Sequence, residues 1–166
     1  MTNSGCGPEG APTAGPSGEA APPLAIVAAH GDLAAGLVSA VAQITGQGGV
    51  LLPMSNRGRS ATELEAELRA AADGGGLRAV FTDLPGGSCT MAARRVQRDH
   101  PGLALATGVN LAALLEFVCA SGACGAGSDP PDAAELVARA LDRGRASLVA
   151  FGVPAVPPAA PAAGPR

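Results

Sequence analysis

The sequence of 166 residues contains no Trp, no Tyr and no Lys, and it has only three Phe. Single-stranded nucleic acids stack their bases on aromatic rings, and nucleic acids in general attract basic surfaces. This chain offers few aromatic rings and carries a net charge of −3. Without Lys it lacks the lysine of a Walker-type phosphate loop and the amine of a Schiff-base enzyme. The composition therefore excludes these two sites and argues against nucleic-acid binding.

The sequence also shows little evidence of a metal site, of disulfide bonds or of a membrane-spanning segment. Its four cysteines, Cys6, Cys89, Cys119 and Cys124, form neither a C-x-x-C pair nor a zinc-site spacing. We identify no signal peptide, and no uninterrupted apolar run reaches transmembrane length. We therefore predict a cytoplasmic protein with reduced cysteines, no cofactor and no bound metal.

Three regions of the chain differ in composition. Residues 1–23 are rich in Gly, Pro, Ala and Ser without a hydrophobic period, which predicts a disordered tail. Residues 153–166 are rich in Pro and Ala and predict a second, linker-like tail. Between them, residues 24–152 alternate short apolar runs with helical segments and predict one domain with a real core.

The alternation inside the domain predicts the order of its elements. The apolar runs predict strands over 24–29, 50–54, 77–82, 103–107 and 147–151. Between them we expect helices over 33–45, from a capping box at Ser60–Glu63 to Gly74, over 88–98, over 111–120 after Asn110, and from Asp129-Pro130-Pro131 to Gly144. Strands that are continuously apolar are buried on both faces, which is typical of parallel sheets. We therefore predict a doubly wound α/β domain with helices on both faces and strand order 2-1-3-4.

Two polar residues follow the strands that this order makes neighbours. His30 follows the first strand directly and precedes Gly31, and Asp83 follows the third strand. Ligand chemistry in open α/β sheets gathers at the carboxyl ends of strands. A carboxylate bonded to one ring nitrogen fixes the tautomer of an imidazole whose other nitrogen attacks phosphorus. The turn Gly86-Gly87-Ser88 opens a helix, whose N–H groups and Ser88 hydroxyl can hold phosphoryl oxygens.

Each of these residues also has a purely structural interpretation. Asp83 alone is as well explained as a turn former or helix cap, and the two glycines alone predict only a tight turn. Cys89 is expected to be a buried neutral thiol, and His100 an exposed loop residue. A response-regulator receiver also carries an acidic residue after its third strand. That interpretation fails, because a receiver needs an acidic pair after the first strand and a Lys, and here His30 stands and Lys is absent.

Taken together and in order, the motifs carry a resemblance to a known family. From about Leu24 to Phe151 the chain resembles the IIA domain of the mannose family of the bacterial sugar phosphotransferase system. The matching segments are Ala29-His30-Gly31 with Leu33-Ala34, Thr82-Asp83-Leu84 with Gly86-Gly87-Ser88, and Thr107-Gly108-Val109-Asn110-Leu111. The family commonly has Pro-Phe-Asn after Gly-Gly-Ser, whereas this chain has Cys89-Thr90-Met91.

The resemblance implies a role for each of these residues. His30 would be a transient phosphohistidine, Asp83 its hydrogen-bond partner, and Ser88 a residue near the phosphate. Phosphate would arrive from the phosphocarrier HPr and leave for a IIB component, which serves membrane IIC and IID components. The resemblance also implies a homodimer, in which the strand predicted over 147–151 is added antiparallel to the partner's sheet.

Three other functions remain open at this stage. A regulatory phosphocarrier that controls a non-transport partner would share the same chemistry. The phosphodonor subunit of dihydroxyacetone kinase is disfavoured, because that group shows Ser-His-Ser and lacks the double glycine. A nucleotide- or flavin-binding module of the same fold is disfavoured by the scarcity of aromatic side chains.

Overall fold

The computed structural model describes residues 22–123 and 131–152. The strands are β1 (Ala25–Ala29), β2 (Leu51–Ser55), β3 (Ala79–Thr82) and β4 (Ala104–Thr107), and the helices are α1 (Leu33–Thr45), α2 (Ala61–Asp73), α3 (Ser88–Asp99), α4 (Leu111–Ala120) and α5 (Ala133–Ala146), with a 3-10 turn over Gly48–Val50. Residues 1–21 and 153–166, which hold nearly all of the two predicted tails, lie outside the described residues, as do Asp129 and Pro130.

The four strands form one parallel sheet in the order β2-β1-β3-β4, as predicted. Alternate residues of β1 face opposite layers, because side chains of a strand alternate between its two faces. Ala25, Val27 and Ala29 pack with α1, α4 and α5, while Ile26 and Ala28 pack with α2 and α3. The doubly wound α/β architecture with helices on both faces is confirmed.

The two predicted capping residues, Ser60 and Asn110, cap helices α2 and α4. Ser60 Oγ accepts the Glu63 N–H at 3.2 Å, and the Glu63 carboxylate accepts the Ser60 N–H at 2.7 Å, which completes the capping box. Asn110 Oδ1 accepts the Ala113 N–H at 2.9 Å and caps α4. Such bonds satisfy N–H groups that have no partner inside the helix. They fix where the helices begin, and so where the preceding loops lie.

Two predictions about the edge strands and α5 were wrong. Strand β2 is not buried on both faces: Leu52 and Pro53 are exposed, because β2 lies at the edge of the sheet, where a Pro is tolerated. Helix α5 begins after Asp132, whose carboxylate accepts the Glu135 N–H at 2.7 Å, and it continues through Gly144 to Ala146. Gly144 therefore does not end this helix.

The segment predicted as a last strand, residues 147–151, has no regular structure in the single chain. Three of its side chains stand in solvent, Leu148 at 77%, Val149 at 63% and Phe151 at 89% exposure. A strand needs a neighbour to accept its hydrogen bonds, and this segment pairs with none of the four strands of the sheet. The outer edge of β4 is likewise unpaired within the described chain.

Candidate active site

His30 and Asp83 meet at the carboxyl edge of the sheet. β1 and β3 are paired neighbours, so the residues that follow their last positions come side by side. Asp83 Oδ2 accepts the backbone N–H of His30 at 2.9 Å and lies 2.7 Å from His30 Nδ1. The side chain of Asp83 is only 10% exposed, whereas that of His30 is 48% exposed. The carboxylate thus holds the imidazole from below and leaves much of the ring in solvent.

The second oxygen of Asp83 is also engaged, since Oδ1 accepts the Leu84 N–H at 2.9 Å. Partial burial acts to raise the pKa of the Asp83 carboxyl. The hydrogen bonds and charge of His30, together with the Leu84 N–H, outweigh burial, and the pKa lies below its ordinary value. Asp83 is therefore an anion that is fixed in orientation at neutral pH. The Asp83 anion accepts a hydrogen bond from the Nδ1–H of His30, which leaves the lone pair of the ring on Nε2.

Gly87 allows the turn before α3 to approach the imidazole. A Cβ at this position would lie 3.2 Å from His30 Cε1, closer than ordinary van der Waals contact. Gly87 is the N-cap residue of α3 and supplies no side chain over the first N–H groups of the helix. The predicted glycine turn thus sets the start of α3 beside the ring, whereas a Cβ on Gly86 would meet no atom within 4 Å.

Ser88 is the first residue of α3 and is half-buried. It lies one residue beyond Gly87, but it does not bond to the pair: His30 and Asp83 bond to each other, and Asp83 also to Leu84. The site residues expected from the sequence, His30, Asp83, Gly87 and Ser88, therefore share one edge of the sheet.

Two buried hydroxyls support the loop between Asp83 and α3. Thr90 Oγ1 donates to the Leu84 carbonyl at 2.6 Å and shares a hydrogen bond with Thr82 Oγ1. The same Leu84 carbonyl accepts the Gly87 N–H at 3.3 Å. Thr82 and Thr90 are both almost fully buried. In the sequence Thr90 stands out only as a departure from the family, because its partner Thr82 is eight residues away on a strand.

The loop after β2 approaches His30 from the other side, which the sequence analysis missed. Ser55 Oγ donates to the Gly31 carbonyl at 2.6 Å, and Asn56 Oδ1 accepts the Gly31 N–H at 3.3 Å. Arg57 lies next to them and pairs with Asp32 at 3.0 Å. Asp32 occupies the N-cap position of α1, but its side chain makes no capping hydrogen bond. The strand order is the signal that predicts this meeting, since β2 is the other neighbour of β1.

Two further predictions concern the side chains of Cys89 and His100. Cys89 is fully buried, and burial, with the Asp83 charge, raises the pKa of its thiol, which confirms a neutral thiol. His100 is not simply exposed: it is half-buried at the end of α3, with Nε2 3.2 Å from Asp73 Oδ1. It lies at the opposite end of α3 from Ser88 and takes no part in the site.

In the ranges 22–123 and 131–152, no group of three or more His, Cys, Asp and Glu side chains is placed to hold a metal ion. No helix in the described part of the chain is long and apolar enough to cross a membrane.

Comparisons with known proteins agree with the resemblance seen in the motifs. The family model of the PTS system fructose IIA component matches residues 25–131, which include His30, Asp83 and Ser88. A search of curated proteins gave no match.

Solved structures share the fold. A mannose/sorbose-specific IIA subunit of the phosphotransferase system from Enterococcus faecalis is 22% identical, with TM-score 0.62 over 81% of this chain and 98% of its own. The phosphotransferase system component EIIA from Streptococcus agalactiae is 21% identical, with TM-score 0.66 over 76% of this chain and 95% of its own. Since the family model spans more than half of the sequence, the chain belongs to the PTS system fructose IIA component family.

Proposed function

We propose that this chain is a phosphoryl carrier in which His30 accepts a phosphoryl group from phospho-HPr and passes it to a IIB component. The observation that carries the proposal is the 2.7 Å contact between His30 Nδ1 and Asp83 Oδ2. It occupies one ring nitrogen and leaves Nε2 available on a ring that is 48% exposed. Membership in a phosphotransferase-system IIA family supports the choice of donor and acceptor.

The transfer needs only the imidazole and its carboxylate. The Nε2 lone pair of His30 forms a bond to phosphorus, while the bond from phosphorus to the donor nitrogen breaks and its electron pair returns to the donor. Positive charge develops on the His30 ring, and the Asp83 carboxylate at Nδ1–H stabilises it. Passage to the acceptor reverses these steps, with His30 as the leaving group.

The start of α3 is suited to hold the phosphoryl oxygens. Its N-cap Gly87 has no side chain, and a helix N-terminus with open N–H groups favours an anion. The Ser88 hydroxyl supplies a further donor in the first turn. On this proposal no metal takes part on this chain, and the carrier works in the cytoplasm, where it serves membrane IIC and IID components only through IIB.

Labelling with phosphoenolpyruvate, enzyme I and HPr tests the proposal. The wild-type chain should acquire an acid-labile, base-stable adduct, and His30→Ala should not. The matched control is His100→Ala, which removes the only other histidine of the sequence and should label normally. Labelling of His30→Ala at the wild-type level would refute the assignment.

Isolated phospho-HPr allows a separate test of whether the transfer to His30 requires a metal ion. Transfer to His30 should keep its rate when EDTA is added after enzyme I has been removed. Loss of transfer in EDTA would contradict the metal-free mechanism.

A further inference from the structure

A phosphoryl group on His30 would place about two negative charges beside the Asp83 carboxylate. The Asp83 side chain is already an anion within hydrogen-bond distance of the same ring. Like charges at such short range oppose each other unless a cation is near. A counter-charge at this edge of the sheet would therefore stabilise the phosphorylated state postulated above.

The loop after β2 is held firmly against the backbone on either side of His30. The Asn56 N–H donates to the Ala29 carbonyl at 3.2 Å, and the Asn56 side chain accepts the Gly31 N–H at 3.3 Å. Ser55 Oγ donates to the Gly31 carbonyl at 2.6 Å and accepts the Arg57 N–H at 3.1 Å. These four bonds fix the backbone of Arg57 next to the turn that follows His30.

The guanidinium of Arg57 lies over the residue that follows His30. Its Nη2 is 3.4 Å from the position of a Cβ built on Gly31. The same nitrogen is 3.0 Å from Asp32 Oδ2, and both side chains are exposed, at 68% and 80%. An exposed ion pair contributes little stability, because water solvates both charges. Arg57 can therefore leave Asp32 for a stronger anion without a large cost.

The other arginine of this loop, Arg59, already makes a hydrogen bond and an ion pair elsewhere. Its Nη1 donates to the Ser55 carbonyl at 3.0 Å and lies 3.0 Å from Glu67 on α2. It thus points away from Gly31 toward the helix, and it serves as a natural control for removal of one positive charge from the same loop.

We infer that Arg57 is the phosphate-binding cation of this site, and that it exchanges Asp32 for the phosphoryl group when His30 is phosphorylated. The inference rests on His30 carrying the phosphoryl group. A guanidinium suits the role because it offers several donors in one plane to phosphate oxygens. Asp32 then acts as a competitor that holds Arg57 in the unphosphorylated state. Substitutions at Arg57 and Asp32 should have opposite effects.

Phosphoramidate, which phosphorylates histidine chemically, tests Arg57 without any protein donor. The ³¹P NMR signal of phosphorylated His30 is identified by its absence in His30→Ala. We expect Arg57→Gln to raise the pKa of the phosphoryl group and to speed loss of phosphate about tenfold, the effect of one charge-assisted hydrogen bond. Arg57→Lys should restore part of both, and Arg59→Gln should leave both near wild type.

Asp32→Asn should slow loss of phosphate by about threefold, since it removes the competing anion from an exposed pair. An Arg57→Gln protein whose phosphoryl pKa and hydrolysis rate equal those of Arg59→Gln would overturn the inference, while HPr-dependent labelling of His30 would stand. Conversely, if phospho-HPr fails to label His30 but the chemical adduct responds to Arg57→Gln, the carrier proposal fails and the role of Arg57 stands.

Discussion

A single carboxylate orients the imidazole of His30 through two atoms. Asp83 Oδ2 accepts hydrogen bonds from both the backbone N–H and the Nδ1–H of His30. The carboxylate therefore fixes the ring relative to the main chain of the same residue. Asp83→Asn retains the shape but loses the charge that stabilises an imidazolium. We expect it to slow phosphoryl transfer on the order of a hundredfold, with unchanged circular dichroism.

Ser88→Ala should cost less than Asp83→Asn, about tenfold at most, since the N–H groups at the start of α3 remain. Quenched-flow transfer from phospho-HPr to the two variants measures the ranking. A larger loss in Ser88→Ala than in Asp83→Asn would reverse the roles assigned here.

The same carboxylate makes stability depend on pH. In the folded chain the pKa of Asp83 lies below its ordinary value of 3.8. The hydrogen bonds of the ionised carboxylate therefore stabilise the fold, and this contribution is fully present above about pH 5. That contribution is lost as the pH falls through 3.8 and then through the lower folded value. Urea denaturation of wild type and Asp83→Asn between pH 3 and 7 should show the two converging on acidification. A constant difference across this range would contradict the assignment.

The buried hydroxyl pair behind the site allows a further test. Thr90→Val keeps the side-chain volume but removes the donor to the Leu84 carbonyl and the partner of Thr82. We expect a loss of about 1–2 kcal/mol in the free energy of unfolding and a severalfold slower transfer, since the loop that carries Gly87 loosens. Thr90→Ser should restore both, because it retains the hydroxyl. A variant Thr90→Val that transfers at the wild-type rate would show that the pair serves stability alone.

At the scale of elements, α4 and α5 pack closely at one glycine. A Cβ on Gly144 would lie 3.1 Å from Ala113 Cβ and 3.2 Å from Asn110 Oδ1, the atom that caps α4. Ala normally stabilises a helix relative to Gly. We nevertheless expect Gly144→Ala to destabilise the fold by about 1–2 kcal/mol, because it overpacks this contact.

Gly36→Ala on α1 is the matched control, since its added Cβ would meet no atom within 4 Å. It should stabilise the protein by about 0.5–1 kcal/mol. Chemical denaturation measures both variants. A Gly144→Ala protein that is stabilised as much as Gly36→Ala would mean that α5 moves away from α4 freely.

For the whole molecule, two apolar features lie unpaired in the single chain. They are the outer edge of β4 and the exposed segment that contains Leu148, Val149 and Phe151. Native proteins cover such edges, and exchange of a segment between protomers is a common way to do so. We therefore predict a homodimer in which residues 147–151 of each chain add antiparallel to β4 of the partner.

Truncation after Arg145 should give a monomeric, destabilised or aggregation-prone protein, whereas removal of residues 153–166 should change little. Analytical ultracentrifugation at micromolar concentration distinguishes these outcomes. A wild-type chain that sediments as a monomer would rule the exchange out.

The sequence by itself determined the four strands of the sheet, the order of the elements and the helix starts at Ser60 and Asn110, but the strand predicted over 147–151 does not form in the single chain. These depend on hydrophobic runs and on hydrogen bonds between residues three apart, which neighbouring positions encode. It also placed His30 and Asp83 at strand ends. Their meeting across 53 residues followed only from an assumed strand order, which the structure confirmed.

Only the tertiary structure decided which atoms surround the imidazole. The approach of Gly87 to His30, the buried Thr82–Thr90 pair and the Asn56–Arg57 loop join segments that are far apart in the chain, and their distances depend on how the helices pack on the sheet. Gly144 was misread for the same reason, because a glycine at a helix end and one at a close helix contact look alike in sequence. Local patterns specify each element, whereas packing between distant elements specifies the site.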